Sequence, residues 1–191
     1  MIKELIEKNR SYRRFHADRT VDRETLISLV DSARISASAG NLQRIRFAVF
    51  NSEDNNKALF ESLVFAAYLK GTWDGPAPKE RPSAYIVLLT EKKPDVNLAI
   101  DIGIAAEAIL LTATEVGLGG CIFRSFSSEN IERLVDFKGY SPQLVIALGY
   151  PSERVVLTDV GSDGSIKYYR DKEDVHVVPK RSLDDLIVKL G

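Results

Sequence analysis

Apolar and polar positions along the chain alternate in two periods, and the changes from one to the other mark out its elements. Ile2, Leu5 and Ile6 recur at helical spacing, which predicts a short first helix over residues 1–9. Asp22 precedes a second helical stripe made by Leu26, Ile27, Leu29, Val30 and Ala33. Its carboxylate can accept from the N–H groups that an opening helix turn leaves unpaired. The stripe gives way to the small, polar run ISASAGN at 35–41. IRFAVF then alternates Ile45, Phe47 and Val49 with Arg46, Ala48 and Phe50, the pattern of a strand with one well-buried face. Ser52 opens a third helix expected to run to residue 69. KGTWDGPAPKERPS, 70–83, reads as loop from its glycines and prolines. AYIVLLT, 84–90, is apolar without interruption, as a central strand covered on both faces would be.

A long helix is expected over 97–116. Gly103, Ala105, Ala106 and Ala108 are small enough for close packing, and Gly117 is placed to end it in a left-handed turn. GCIFR and QLVIALGY read as two more strands, with a short helix near 129–137 between them. Ser182 caps a last helix, LDDLIVKL, with Asp185 as its capping-box partner. Alternating helices and strands build a layered α-and-β domain, and this pattern leaves strand direction open. One domain is expected over 1–191. Residues from about 152 to 181 are charged and turn-rich and read as a peripheral arm that packs on a partner subunit.

Composition narrows the function classes. The 191 residues are 45% apolar and 28% charged, ordinary for a soluble globular protein. Lysines and arginines number 26 against 27 acids, a net charge of −1, without the basic excess of a general nucleic-acid binder. Locally the balance differs: five basic residues and one acid, Asp18, lie between residues 8 and 19. The single cysteine, Cys121, permits no disulfide within the chain, and His16 and His176 lie far apart. MIKELIEKNR mixes charge with apolar residues, unlike a signal peptide. The longest unbroken apolar runs, such as YIVLL, are too short to cross a bilayer. A cytoplasmic, reducing setting is expected, with no membrane or nucleic-acid partner.

The strong motifs are missing: no GxxxxGK[ST], GxGxxG, HExxH, GxSxG or paired CxxC occurs. Cys121, in the apolar run GGCIF, reads as a buried structural residue. Three polar clusters remain. In NRSYRRF, 9–15, Arg10, Arg13 and Arg14 flank Ser11. Guanidinium forks suit phosphate oxygens and the hydroxyl adds a donor; a solvated helix end is the competing reading. In SASAGNLQ, 36–43, small residues let a planar ligand approach the backbone. The amides of Asn41 and Gln43 can read a ring edge of alternating donors and acceptors, and an ordinary turn is the alternative. Lys180 and Arg181 in VPKRS form a second phosphate candidate, or a solvated turn.

Together these clusters resemble the FMN-dependent nitroreductase family. RSYRRF is similar to its R-S-x-R-x-F, and SAGNLQ before a strand to its P-S-x-x-N-x-Q. AAEAILLTATEVGLGGC resembles its central helix and GLG-x-C strand, LVIALGYP its late strand and turn, and VPKR its carboxy-terminal basic pair. The order holds over about residues 2–187; five motifs in sequence are specific where one is not. The resemblance implies an α+β, three-layer α-β-α fold with a central mixed, mainly antiparallel sheet flanked by helices. It implies a homodimer with two FMN molecules at the subunit interface. NAD(P)H would be the electron donor, and nitroaromatics, quinones or similar planar acceptors would be reduced by ping-pong hydride transfer through FMN.

By position, Arg10 and Ser11 would hold the FMN phosphate, and Lys180 and Arg181 would complete that grip. Arg13 would face the pyrimidine edge, where a fixed cation stabilises the charge added on reduction. Ser38, Ala39 and Asn41 would approach from the other subunit, with Gln43 nearby. The backbone of Phe123, Arg124 and Ser125 would lie near flavin N5. The flavin carries the chemistry, so no catalytic side chain and no metal are implied, and Arg14 is expected at solvent. The chain departs from the family pattern at Ala37 and Arg44, where proline is usual, and at Arg124, where a small residue is usual. These bear on the substrate more than on the cofactor. A specialised flavin enzyme of the same fold (a dehalogenase, a flavin-fragmenting enzyme or an azoline dehydrogenase) and a non-catalytic FMN-binding protein are the alternatives. The loop holding Tyr68 and Trp73 would cover the pocket, or Trp73 would pack in the core.

Overall fold

In the strand Ala84–Thr90 every residue is buried, and side-chain parity assigns all but Thr90 to one of two cores. The computed structural model describes residues 1–65, 71, 73–91, 94–134, 137 and 139–190. They fall into two compact units, one of residues 1–65 with 75–152, the other of 66–74 with 153–191.

The first unit is built on a four-stranded antiparallel sheet in the order β1-β2-β4-β3, with β1 Arg46–Phe50, β2 Ala84–Thr90, β3 Gly119–Phe123 and β4 Ser141–Gly149. On one face Ala84, Ile86 and Leu88 of β2 join Leu144, Ile146 and Leu148 of β4. They pack against Leu26 and Leu29 of helix α2 (Arg23–Arg34) and Ile102, Ala106 and Ile109 of helix α4 (Val96–Glu115). On the other face Tyr85, Val87 and Leu89 join Val145 and Ala147. There they meet Leu59 of α3 (Glu53–Ser62) and Ile131 of α5 (Ser128–Glu132). Successive strand residues point to opposite faces, so the unbroken apolar strand feeds two helical layers. This is the α+β, α-β-α arrangement expected; the described strands of this sheet pair antiparallel, and the one parallel link to it is an isolated bridge between Ser11 and Gly120. Helix α1 (Ile2–Lys8) packs on α4.

Local signals set most element ends. Asp22 Oδ1 accepts from Thr25 N at 2.7 Å and starts α2. Asp95 Oδ1 accepts from Leu98 N at 2.8 Å and starts α4. Gly117, at φ +80°, stops α4 as expected. By length and composition this 20-residue helix is apolar enough to cross a membrane, although Asp101 and Glu107 break its apolar run. Leu98, Ile102, Ala106, Ile109 and Ala113 bury it in the core instead. Cys121 is likewise buried, in the core on the other face of the sheet.

Four elements differ from expectation. Strand β1 does not bury a single face: Phe47 packs in one core, Ala48 and Phe50 in the other, and Val49 is exposed. An outer strand between two helical layers uses both faces in part. Helix α3 ends at Ser62 rather than 69, because Leu63 turns extended and pairs with Phe126; residues 66–70 lie outside those described. Helix α5 stops at Glu132. The last helix, α6, is only Leu183–Leu186. Ser182 Oγ does accept from Asp185 N, at 3.1 Å, but no residue of α6 is buried. Helices this short depend on tertiary packing.

The second unit has its own three-stranded sheet. β7 (His176–Lys180) pairs in parallel with β5 (Val155–Asp159) and antiparallel with β6 (Tyr169–Arg170). The stretch read as an arm thus has regular structure, which its charged composition hid. Arg170 pairs with the buried Glu153, and its guanidinium lies 5.2 Å from the Trp73 ring centroid. Trp73 is half-buried under that cation; Tyr68 is outside the described residues.

Candidate functional site

The run NRSYRRF follows directly on α1, which stops at Lys8 when Asn9 turns extended. Asn9 Nδ2 donates to Glu107 Oε1 of α4 at 3.1 Å. Tyr12 N donates to Gly120 O at 3.0 Å, and Ser11 bridges Gly120 in parallel, so the run lies along the edge of β3. Two glycines permit this approach. A Cβ on Gly119 would stand 2.5 Å from Tyr12 Cδ2 and 2.6 Å from Pro151 Cγ; one on Gly120 would stand 2.5 Å from Leu110 Cδ2. GLGG is therefore a packing device. Beyond it, Phe15 is fully buried, Phe15 N donates to Glu80 O at 2.9 Å, and His16 N to Tyr150 O at 2.8 Å.

The three arginines differ in use. Arg10 Nη2 donates to Ile6 O at 2.6 Å, while its Nε is buried with no hydrogen-bond partner. Arg13 Nη1 donates to Ser11 O at 3.2 Å. Arg14 corrects the expectation of a solvent-facing side chain: it is 16% exposed, with Nε 3.8 Å from Glu80 Oε2. The buried Phe15 beside it draws that backbone inward.

The 36–43 loop is held by a residue the sequence reading did not single out. Asp101 is 4% exposed. Its Oδ2 accepts from Ser38 Oγ and its Oδ1 from Ala39 N, each at 2.9 Å, and Ser38 Oγ in turn accepts from Gln43 N at 3.2 Å. A signal was present: position 101 shares the buried stripe of Leu98, Ile102 and Ala105, and an acid there needs partners. The short 3₁₀ turn Ala39–Asn41 and its sequel are left-handed at Gly40, Asn41 and Gln43, with φ of +57°, +54° and +51°. Asparagine tolerates this region; for glutamine it is uncommon, and surrounding structure must hold it. Gln43 Nε2 lies 3.2 Å from Asn41 Oδ1. Arg44, where proline was the pattern, grips Asp95 with both terminal nitrogens, at 2.8 and 3.2 Å. Those bonds, and the N–H of Leu98, hold the Asp95 carboxyl down at about 2. Beneath the loop is a cavity of about 260 Å³ lined by Ser36, Ser38, Gln43, Arg46, Asp101 and Ala105.

Ser38 and Ala39 are thus fixed at the sixth residue of α4, and Ser11 at Gly120, past its end. The intervening 101–115 helix spans about 21 Å, so the two clusters have separate anchor points in one chain. Phe123 is buried, its ring centroid 4.7 Å from that of Phe65, which leaves only its backbone for a ligand. Arg124 and Ser125 are exposed just past β3, and Ser125 O accepts from Val64 N at 2.9 Å. Lys180 and Arg181 are exposed at the end of β7, in the second unit.

The sequence profile of the Nitroreductase family matches residues 6–150. The chain belongs to the nitroreductase family. It therefore joins a family of oxidoreductases, and the match covers the four-stranded unit almost completely. Solved nitroreductases share the fold. A nitroreductase family protein from Streptococcus pneumoniae TIGR4 is 18% identical, with 100% of each chain covered and a TM-score of 0.67. One from Clostridium novyi NT is 22% identical over 79% of this chain and 86% of that one, at a TM-score of 0.65. A protein described as an FMN-dependent nitroreductase, from Clostridium difficile R20291, is 24% identical over 78% of this chain and 87% of its own, at 0.62. No curated protein matches the chain.

Proposed function

We propose that this nitroreductase binds FMN and passes electrons from NAD(P)H to planar acceptors such as nitroaromatics or quinones. The observation that carries the reading is the parallel bridge between Ser11 and Gly120. It lays Arg10, Ser11 and Arg13 along the strand that leads to Arg124 and Ser125. The groups proposed for the phosphate and the backbone proposed for the ring would then share one edge, about 13 Å apart at the strand rise.

The residues present fit a planar, phosphate-bearing group. The partnerless Nε of Arg10 and the Ser11 hydroxyl are donors for a phosphate. Lys180 and Arg181 are exposed cations of the kind such a grip uses. When bound, FMN supplies the two-electron transfer. Arg13 presents a fixed cation to a ring edge, and the Asp101-pinned loop presents Asn41 and Gln43. We further propose that the loop comes from a second copy, since its anchor is separate from that of Ser11. Exposed Ile100 and Ile104 of α4 and exposed Ile2 and Ile6 of α1, two helices in contact, offer apolar surface for that pairing.

The test is direct. Purified protein should be yellow or take up FMN, and anaerobic NADH or NADPH should bleach it. Protein that stays colourless in excess FMN refutes the reading. Protein that binds FMN but is bleached by neither nicotinamide refutes the oxidoreductase activity.

A further inference from the structure

A second cavity, of about 470 Å³, opens in the first unit between the start of α3 and the segment entering β2. Thr20, Glu53, Asn56, Lys57, Arg81 and Ser83 line it. Three of these residues carry a buried polar atom with no hydrogen-bond partner: Asn56 Oδ1, Arg81 Nε and Ser83 Oγ. Buried polar groups are normally paired, and an orphan is costly. Three around one cavity mark a place built for something else to bind.

Each orphan has a defined demand. Asn56 Nδ2 donates to Ser83 O at 2.7 Å, which fixes the carboxamide and leaves its oxygen as the spare acceptor. Ser83 is 7% exposed, and its hydroxyl can give or take. The Arg81 guanidinium makes no hydrogen bond or ion pair among the described residues. Its carbon lies 4.2 Å from the Phe60 ring centroid, so the ring holds it in place while its donors stay unused. Lys57 adds a second cation and Glu53 one acid at the rim. A matching occupant brings an oxyanion for Arg81 and, close to it, an N–H or O–H for Asn56.

We infer that this cavity is a binding site for a small carboxylate carrying a hydroxyl or ammonium group on the neighbouring carbon. It is lined by none of Arg10, Ser11, Arg13 or residues 36–43, and the inference stands whether or not FMN binds. Glycolate, glycine and acetate are the probes, each titrated into the ¹⁵N-labelled chain while the backbone amides of Asn56, Lys57 and Ser83 are followed. Glycolate or glycine should shift those amides and bind at least tenfold more tightly than acetate. Ser83→Ala, which removes only an unpaired hydroxyl, should weaken the better probe severalfold, and Arg81→Gln should abolish its binding. Absence of shifts with all three probes at tens of millimolar overturns the proposal and leaves water as the occupant. Acetate binding as tightly as the others, or Ser83→Ala binding like the parent, overturns it equally.

Discussion

Replacing Asp101 tests the structure where the loop meets the core. Its carboxylate receives the Ser38 hydroxyl and the Ala39 N–H, both at 2.9 Å, while being almost fully buried. Hydrogen bonds to a charged group contribute about 1.5–3 kcal/mol each, so two set an upper bound of about 6 kcal/mol. Ser38 and Ala39 are only half-buried, and water can reach them once the loop loosens. Asp101→Ala should therefore destabilise by about 2–4 kcal/mol, the cavity left in α4 included. Asp101→Asn keeps the shape: its oxygen can still accept from Ala39 N while its NH₂ donates to Ser38 Oγ. It should lose only the charge assistance, about 1 kcal/mol. Urea unfolding at fixed protein concentration reads both values, and FMN titration of the apoprotein reads the loop. The Ala variant should lose FMN affinity, and the Asn variant, which keeps both contacts, should retain most of it. An Ala variant destabilised by less than about 0.5 kcal/mol would refute the view that this carboxylate holds the loop.

Further outcomes are expected. Arg10→Ala should weaken FMN binding by tenfold or more, the loss of one charge-assisted contact of about 1.5–3 kcal/mol. Arg14→Ala should leave that affinity within threefold and lower stability by about 1 kcal/mol through Glu80; equal effects on FMN titration would sink the distinction. Gly119→Ala drives a Cβ into Tyr12 and Pro151 and should destabilise by about 1–3 kcal/mol, visible as a fall in Tm; an unchanged Tm would mean that contact is absent. The Asp95 carboxyl, held at about 2 chiefly by Arg44, should stabilise the fold above the ordinary carboxylate range and lose that contribution as pH falls from about 4 towards 2. In Arg44→Ala its NMR titration midpoint should rise yet stay depressed by the Leu98 N–H, and an unmoved midpoint would exclude the pair as the cause.

The parts of the fold legible from residues alone were those set by local chemistry. Asp22 and Gly117 sit at helix ends because capping and left-handed turns are decided within a few residues. AYIVLLT was legible as a central strand because burial on both faces removes all polar positions at once. What stayed hidden was decided at a distance. Leu63 leaves its helix to pair with Phe126, more than sixty residues on, and no local pattern announces that. Arg14 looked like its neighbours until Phe15 and Glu80 placed it. The motif order pointed to the polar clusters, but Asp101, which positions one of them, lay inside an apolar helix where the reading looked for packing.

Helix α4 is where these threads meet. Three acids mark it at intervals of six residues: Asp95 holds Arg44, Asp101 holds Ser38 and Ala39, and Glu107 holds Asn9. Six residues turn a helix by about 600°, so Asp101 and Glu107 face directions about 120° apart, while Asp95 sits on the extended N-cap. One rigid core element can therefore hold two of the polar segments on different sides. The contacts are unequal. Glu107 and Asn9 meet in the open, where such a bond is weak, while Asp101 is buried and charged. The 36–43 loop should accordingly be the stiffer half, fixed before any ligand arrives. The arginine run relies on the Gly119–Gly120 contact with β3, and a substitution there should loosen Arg10 and Ser11 while leaving Ser38 and Ala39 in place.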